Sequence, residues 1–236
     1  MALSPSNLIS KILSPALRLW LRSQVEQAEE LEIQIQGQDR QILRGYVPGV
    51  SLQTRRAIYQ GLRLGQVLLQ GENIRINIGQ VVKGKPLQLL EPIQVSGEVK
   101  LTETDLQDSL SSTILANALT ELLIALLERQ GVTNPQEFLA SSVVKWQAIT
   151  LGMDSFSLEG TLLVPDHQQQ IFKLCACLIL INAQSLLLKE IRLEGFPPLT
   201  DAIQDYPIDL GTDVAIDSLT LRPGELACVG QLLIRP

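Results

Sequence analysis

Residues 62–78, LRLGQVLLQGENIRINI, decide the fold. Leu62, Leu64 and Leu68 alternate with Arg63, Gly65 and Leu69. After Gly71-Glu72-Asn73, which reads as a turn, Ile74, Ile76 and Ile78 alternate with Arg75 and Asn77. Alternation with period two and one apolar side marks a half-buried strand. The pattern recurs outward along the chain. Leu31, Ile33 and Ile35 carry it, and residues 41–53 continue it across Pro48-Gly49. A strand follows Gly84, and Ile93, Val95, Val99 and Leu101 close the first block. A second block runs through residues 156–164, 171–181 and 187–193 and ends in a hairpin over residues 219–234 that turns at Pro223-Gly224. Short strands joined by short turns require antiparallel pairing, because parallel crossovers need a dozen or more residues. Six of these segments carry a glycine: Gly37, Gly65, Gly97, Gly160, Gly195 and Gly230. Glycine in a strand marks a bulge, a bend or a close backbone approach. Its recurrence predicts a strongly curved sheet closed around something apolar.

Helical patterns interrupt the strands. Residues 7–25 form an amphipathic helix with Ser6 as N-cap, and Pro15 kinks it. At roughly 100° per residue, Lys11, Arg18 and Arg22 share a narrow face, opposite Leu8, Ile9, Ile12, Leu13, Leu19 and Trp20. A basic face with a tryptophan anchor suits a helix that docks on a membrane surface. The same apolar face also suits packing against the protein's own sheet. Thr102 and Asp105 have capping-box spacing at the start of the central helical region. Residues 114–127 are apolar nearly all round, through Leu115, Leu119, Leu122, Leu123, Leu126 and Leu127. A helix of that kind is buried or meets something apolar. Strands, helices and strands in blocks predict an α+β fold, with a strongly curved antiparallel sheet wrapped around a long apolar helix. The organisation expected is an N-terminal amphipathic helix in residues 1–30 and a single domain in residues 31–236.

Composition narrows the function. The 236 residues are 45% hydrophobic but only 4% aromatic, so aliphatic side chains fill the interior. A net charge of −6 argues against nucleic-acid binding, which needs a basic stripe. Cys175, Cys177 and Cys228 do not describe a disulfide framework or a metal site and read as structural thiols. His167, the single histidine, sits in a polar turn beside three glutamines. Glu103, Asp105 and Asp108 lie where acidic residues stabilise a helix start. No nucleophile elbow, phosphate loop or zinc-protease motif is present. The expectation is a protein that is not an enzyme and takes no cofactor or metal: a container or an interaction module. No secretory signal stands out, and no apolar run reaches the ~18–20 residues of a spanning helix. A cytoplasmic protein, peripheral on the cytoplasmic membrane face, is therefore expected.

Three segments carry a resemblance: Gly61-Leu62-Arg63-Leu64, Glu72-Asn73-Ile74-Arg75-Ile76, and residues 99–106, where a strand runs into the helix start Leu101-Thr102-Glu103-Thr104-Asp105-Leu106. In these the chain resembles the LmeA-like phospholipid-binding family, from about residue 31 to 127 and more weakly to the C-terminus. The resemblance implies a tubular lipid-binding (TULIP) type of fold, a bacterial and specifically cyanobacterial source, and a phospholipid or other acyl-chain lipid as partner. On that basis the chain is expected to bind or carry a phospholipid or glycolipid. The groove would be lined by Leu115, Leu119, Leu122, Leu123, Leu126, Phe156, Leu158, Leu178 and Leu180, with Arg63 or Arg75 meeting the headgroup. Lys11, Arg18, Trp20 and Arg22 would dock the carrier on the membrane. The alternative is an assembly or interaction factor whose groove is filled by its own helix. Residues 171–181, apolar on both faces apart from Lys173, are then core or the contact between two copies in a homodimer.

Overall fold

The computed structural model describes residues 13–17, 19, 26–140, 143–163, 169–195 and 203–236. It is mostly antiparallel sheet with some helices. The first block forms β1 (Gln27–Gln36), β2 (Tyr46–Tyr59), β3 (Leu62–Arg75) and β4 (Ile93–Thr102). Short helices α1 (Asp39–Ile42) and α2 (Ile78–Val81) follow β1 and β3. The central helices are α3 (Glu103–Ser109), α4 (Thr113–Arg129) and α5 (Pro135–Ala140). The second block forms β5 (Val143–Leu151), β6 (Ser155–Leu163), β7 (Gln169–Asn182), β8 (Ser185–Glu194), β9 (Tyr206–Asp209), β10 (Val214–Arg222) and β11 (Glu225–Ile234). Two sheets result, a six-stranded one in the order β1-β2-β3-β4-β11-β10 and a five-stranded one in the order β5-β6-β7-β8-β9. The C-terminal hairpin turns at Pro223-Gly224 as the sequence predicts, with Arg222 opposite Glu225. It leaves the second block to pair β11 with β4 of the first.

Two expectations for the first block are corrected. Gly71-Glu72-Asn73 is not a turn: β3 runs straight through it, with Val50 opposite Gly71 and Gly49 opposite Glu72. Asn73 takes up the irregularity with a φ of 55°. Residues 41 and 42 belong to α1, so the strand expected over residues 41–53 starts at Tyr46 and runs on to Tyr59. Some of the bends do stand at glycines: the shift at Trp146 faces Gly160 and the one at Ile216 faces Gly230. Register shifts fall at residues 27–32 of β1, between Trp146 and Ala148, between Cys175 and Cys177 and between Ile216 and Ser218. Glu30, Arg56 and Glu190 hold positive φ inside strands. Bulges of this kind raise local twist whatever residue occupies them. Gly160 has a packing reason as well, since the Phe172 ring lies 2.6 Å from where its Cβ would stand.

The capping box forms as read from the sequence. Thr102 Oγ1 accepts from the Asp105 amide at 3.1 Å, and the Asp105 carboxylate accepts from the Thr102 amide at 2.8 Å. The resulting α3 joins the two sheets. Ser109 Oγ accepts from the Arg63 amide at 2.8 Å, which ties α3 to β3. On the other side Glu103 accepts from the Leu151 amide at 2.8 Å and Gln107 from the Ile149 amide at 3.0 Å, satisfying the free edge of β5. Replacing Thr102 with alanine should cost about 1 kcal/mol, the usual loss for a helix N-cap. Chemical denaturation checks this, and an unchanged midpoint would remove the cap from the account of how the halves are joined.

The long helix is covered on one side, not all round. Leu123, Leu126 and Leu127 are buried against the five-stranded sheet, while Asn117, Ala118, Glu121 and Glu128 are exposed. Asn117, Glu121 and Glu128 recur at helical spacing, and three polar positions suffice to make one face wet. An 87° bend separates α4 from α3. No single helix among the described residues is long and apolar enough to cross a membrane. Lys11, Arg18, Trp20 and Arg22 lie outside the described residues, as does His167.

Candidate lipid-binding cavity

The residues expected to line a groove around α4 pack with one another or close by. Leu123, Leu126 and Leu158 have no solvent exposure and sit in one packed cluster with Leu127, Leu162, Phe172 and Leu174. Leu115, Leu119, Leu122, Phe156 and Leu178 are half-buried against that cluster. Leu180 stands opposite Leu186 on β7 and is also half-buried. Trp146 meets Phe172 edge-on with ring centroids 5.3 Å apart, a favoured aromatic geometry. On β7 the even-numbered Phe172, Leu174 and Ala176 form core, while Ile171, Ile179 and Ile181 are exposed on the other face.

An open apolar space lies under the six-stranded sheet. Inward side chains of all four first-block strands enclose a half-open cavity of about 130 Å³. Its walls are Ile35 of β1, Val47, Val50 and Leu52 of β2, Leu69, Gly71 and Ile74 of β3, and Ile93 and Val95 of β4. Ile76, Leu87, Leu89 and the C-terminal Ile234 close one end. Leu13 and Leu17 complete the lining from the helical residues 14–17 and their neighbour. Leu13 is 2% exposed and packs with Ala16 in the cluster under the sheet, whereas Leu19 is 72% exposed. Nearly all of the lining is apolar, which suits a hydrocarbon chain and offers no group for chemistry.

Gly71 is the residue that keeps the space open. It is buried, it faces inward between Leu69 and Ile74, and it has no side chain to fill the interior. Sequence reading placed Gly71 in a turn and so missed a glycine that faces the cavity.

The two headgroup candidates stand far apart. Arg63 and Arg75 mark opposite ends of β3, about 40 Å apart at the rise of a strand. Arg63 pairs with Asp108 at 3.3 Å beside α3, away from the cavity. Arg75 adjoins the cavity residues Ile74 and Ile76, with its guanidinium 4.8 Å from the centre of the Tyr46 ring. The acidic residues at the start of α3 have structural duties: Glu103 binds the β5 edge, Asp105 caps the helix and Asp108 pairs with Arg63. Burial pushes the Cys177 thiol above its ordinary pKa, and the nearby Glu190 carboxylate adds to it. Burial does the same to Cys228, so neither offers a thiolate nucleophile at neutral pH. Among the described residues no group of three or more His, Cys, Asp or Glu is placed to hold a metal.

A family model described as LmeA-like phospholipid-binding matches residues 5–231. No curated protein and no solved structure matches the chain.

Proposed function

The chain belongs to the LmeA-like phospholipid-binding family, and from that premise we propose that it is a non-enzymatic phospholipid carrier whose acyl chain enters the cavity under the six-stranded sheet. The observation that supports this is an apolar cavity bounded by Gly71. Burying acyl methylenes contributes about 0.8 kcal/mol each, so an acyl chain binds without charged contacts. The space of about 130 Å³ is close to that of an engineered cavity that admits one benzene. It takes a segment of chain as it stands. A whole acyl chain needs Leu13 and Leu17 to withdraw, and exchanging their methyls for methylenes keeps the interior apolar throughout. That near-balance is what a carrier requires, because it must release what it holds. Arg75, at the cavity end of β3, is the cation best placed to meet a phosphate.

The rival reading, an assembly factor with a self-filled interior, fits the five-stranded half and not the six-stranded one. Native mass spectrometry of the purified protein, with lipid extraction from the same sample, decides between them. The expected result is a phospholipid at near-stoichiometric amount. A lipid-free mass that stays unchanged after incubation with mixed liposomes would overturn the carrier reading.

A further inference from the structure

The end of the six-stranded sheet that closes the cavity carries an apolar and basic surface, and we propose that this tip docks on the face of an anionic membrane. The tip is built from α1, α2 and the chain leading into β4. Its parts are held together by backbone bonds: the Ile76 amide donates to Gly45 O at 2.9 Å, and the Leu90 amide donates to Arg75 O at 2.9 Å. Inside, Ile42, Ile78 and Val81 are buried in the cluster that surrounds the cavity. Outside, the residues next to two of them are bare, with Leu43 61% and Val82 55% exposed, and Leu90 is 57% exposed. Large aliphatic side chains left outside a buried cluster mark an interaction surface when they gather at one end of a molecule.

Charge identifies the partner. Residues 38–45 and 75–91 hold five basic residues, Arg40, Arg44, Arg75, Lys83 and Lys85, against two acidic ones, Asp39 and Glu91. This local excess stands on a chain of net charge −6. All five cations are exposed, and among the described residues none of them forms a salt bridge. Exposed aliphatic residues among cations that form no salt bridge match acyl chains beneath anionic headgroups. Docking there would bring the end of the cavity lined by Leu87 and Leu89 next to the bilayer. The proposal rests on the phospholipid reading only for the class of surface, and the two fail separately.

The test is sedimentation of the full chain with vesicles of phosphatidylcholine, with and without a third of phosphatidylglycerol. The wild type should pellet with the anionic vesicles only, and added salt should release it. Each cation near an anionic surface strengthens binding roughly fivefold, so the combined Arg44→Gln, Lys83→Gln and Lys85→Gln variant should bind about a hundredfold more weakly. The Leu43→Ser, Val82→Ser variant should also lose binding while keeping its far-ultraviolet circular dichroism. Wild-type binding that ignores phosphatidylglycerol, or variants that pellet like the wild type, would overturn the docking surface. Tip-dependent pelleting by a chain that carries no lipid would support the docking and sink the cavity reading instead.

Discussion

Gly71→Leu should abolish lipid retention while leaving the fold as stable as before or more so. A Cβ built at Gly71 meets Ile74 Cδ1 at 3.4 Å, Val95 Cγ2 at 3.6 Å and Ile93 Cδ1 at 3.9 Å, all ordinary contacts. No positive φ is recorded at this residue, so a side chain brings no backbone strain there. Glycine inside a strand costs about 0.5–1 kcal/mol relative to alanine, and the new leucine would be buried among aliphatic neighbours. Its branched end would then occupy the space where an acyl segment should lie. The expected outcome is a fall from near-stoichiometric phospholipid to background in native mass spectra, with a melting temperature that is unchanged or raised. A folded Gly71→Leu protein that still carries its lipid would show that the acyl chain lies elsewhere.

Phe172→Ala should have the opposite signature. Phe172 is 1% exposed, covers Gly160 on the neighbouring strand and meets Trp146 at 5.3 Å. Truncating such a ring removes buried area and leaves a cavity, at a cost of ~3–5 kcal/mol. Against a total stability on the order of 5–15 kcal/mol, this would leave a marginal protein. Urea denaturation should show a midpoint lowered by a large part of its value. The lipid content of the molecules that remain folded should not change, because Phe172 belongs to the cluster under α4 and not to the one around the cavity. A loss of lipid from the folded fraction would mean that the two halves share one binding space.

Much of the strand framework is legible in the residues. Alternation marks β1, β4, β6 and β8 and the β10–β11 hairpin, because a side chain's direction in a strand depends only on odd or even position, while β7 is marked by a continuous apolar run. Thr102 and Asp105 mark the start of α3 because a cap is a local bond between near neighbours. Other elements have no such local mark. In β5, Val143–Leu151, Trp146 and Leu151 are buried from opposite sides of a bulge, which breaks the alternation that would reveal a strand. The four-residue strand Tyr206–Asp209 is too short to show a period and exists because β8 offers it an edge. At the tip, Leu43-Arg44 and Val82-Lys83 join an aliphatic residue to a cation, but neither pair can be recognised until the bond from the Ile76 amide to Gly45 O brings the end of α1 towards the start of α2.

The groove residues chosen from sequence and the cavity in the structure share the same reasoning and differ in place. Both sets are inward aliphatic positions. Around α4, Leu123, Leu126, Leu127, Leu158 and Leu174 meet from a helix and two strands and leave no exposed surface among them. Under the other sheet, inward residues of four strands surround a glycine, and Leu13, Leu17, Ile76, Leu87 and Leu89 reach in from outside the strands. Sequence by itself determined which residues point inward, that the chain is an antiparallel α+β protein and that it belongs with phospholipid binders. Tertiary structure decided which interior is full and which is open. Direction is a property of one residue and its neighbours in the chain, whereas free volume is what remains after side chains from distant segments have packed together.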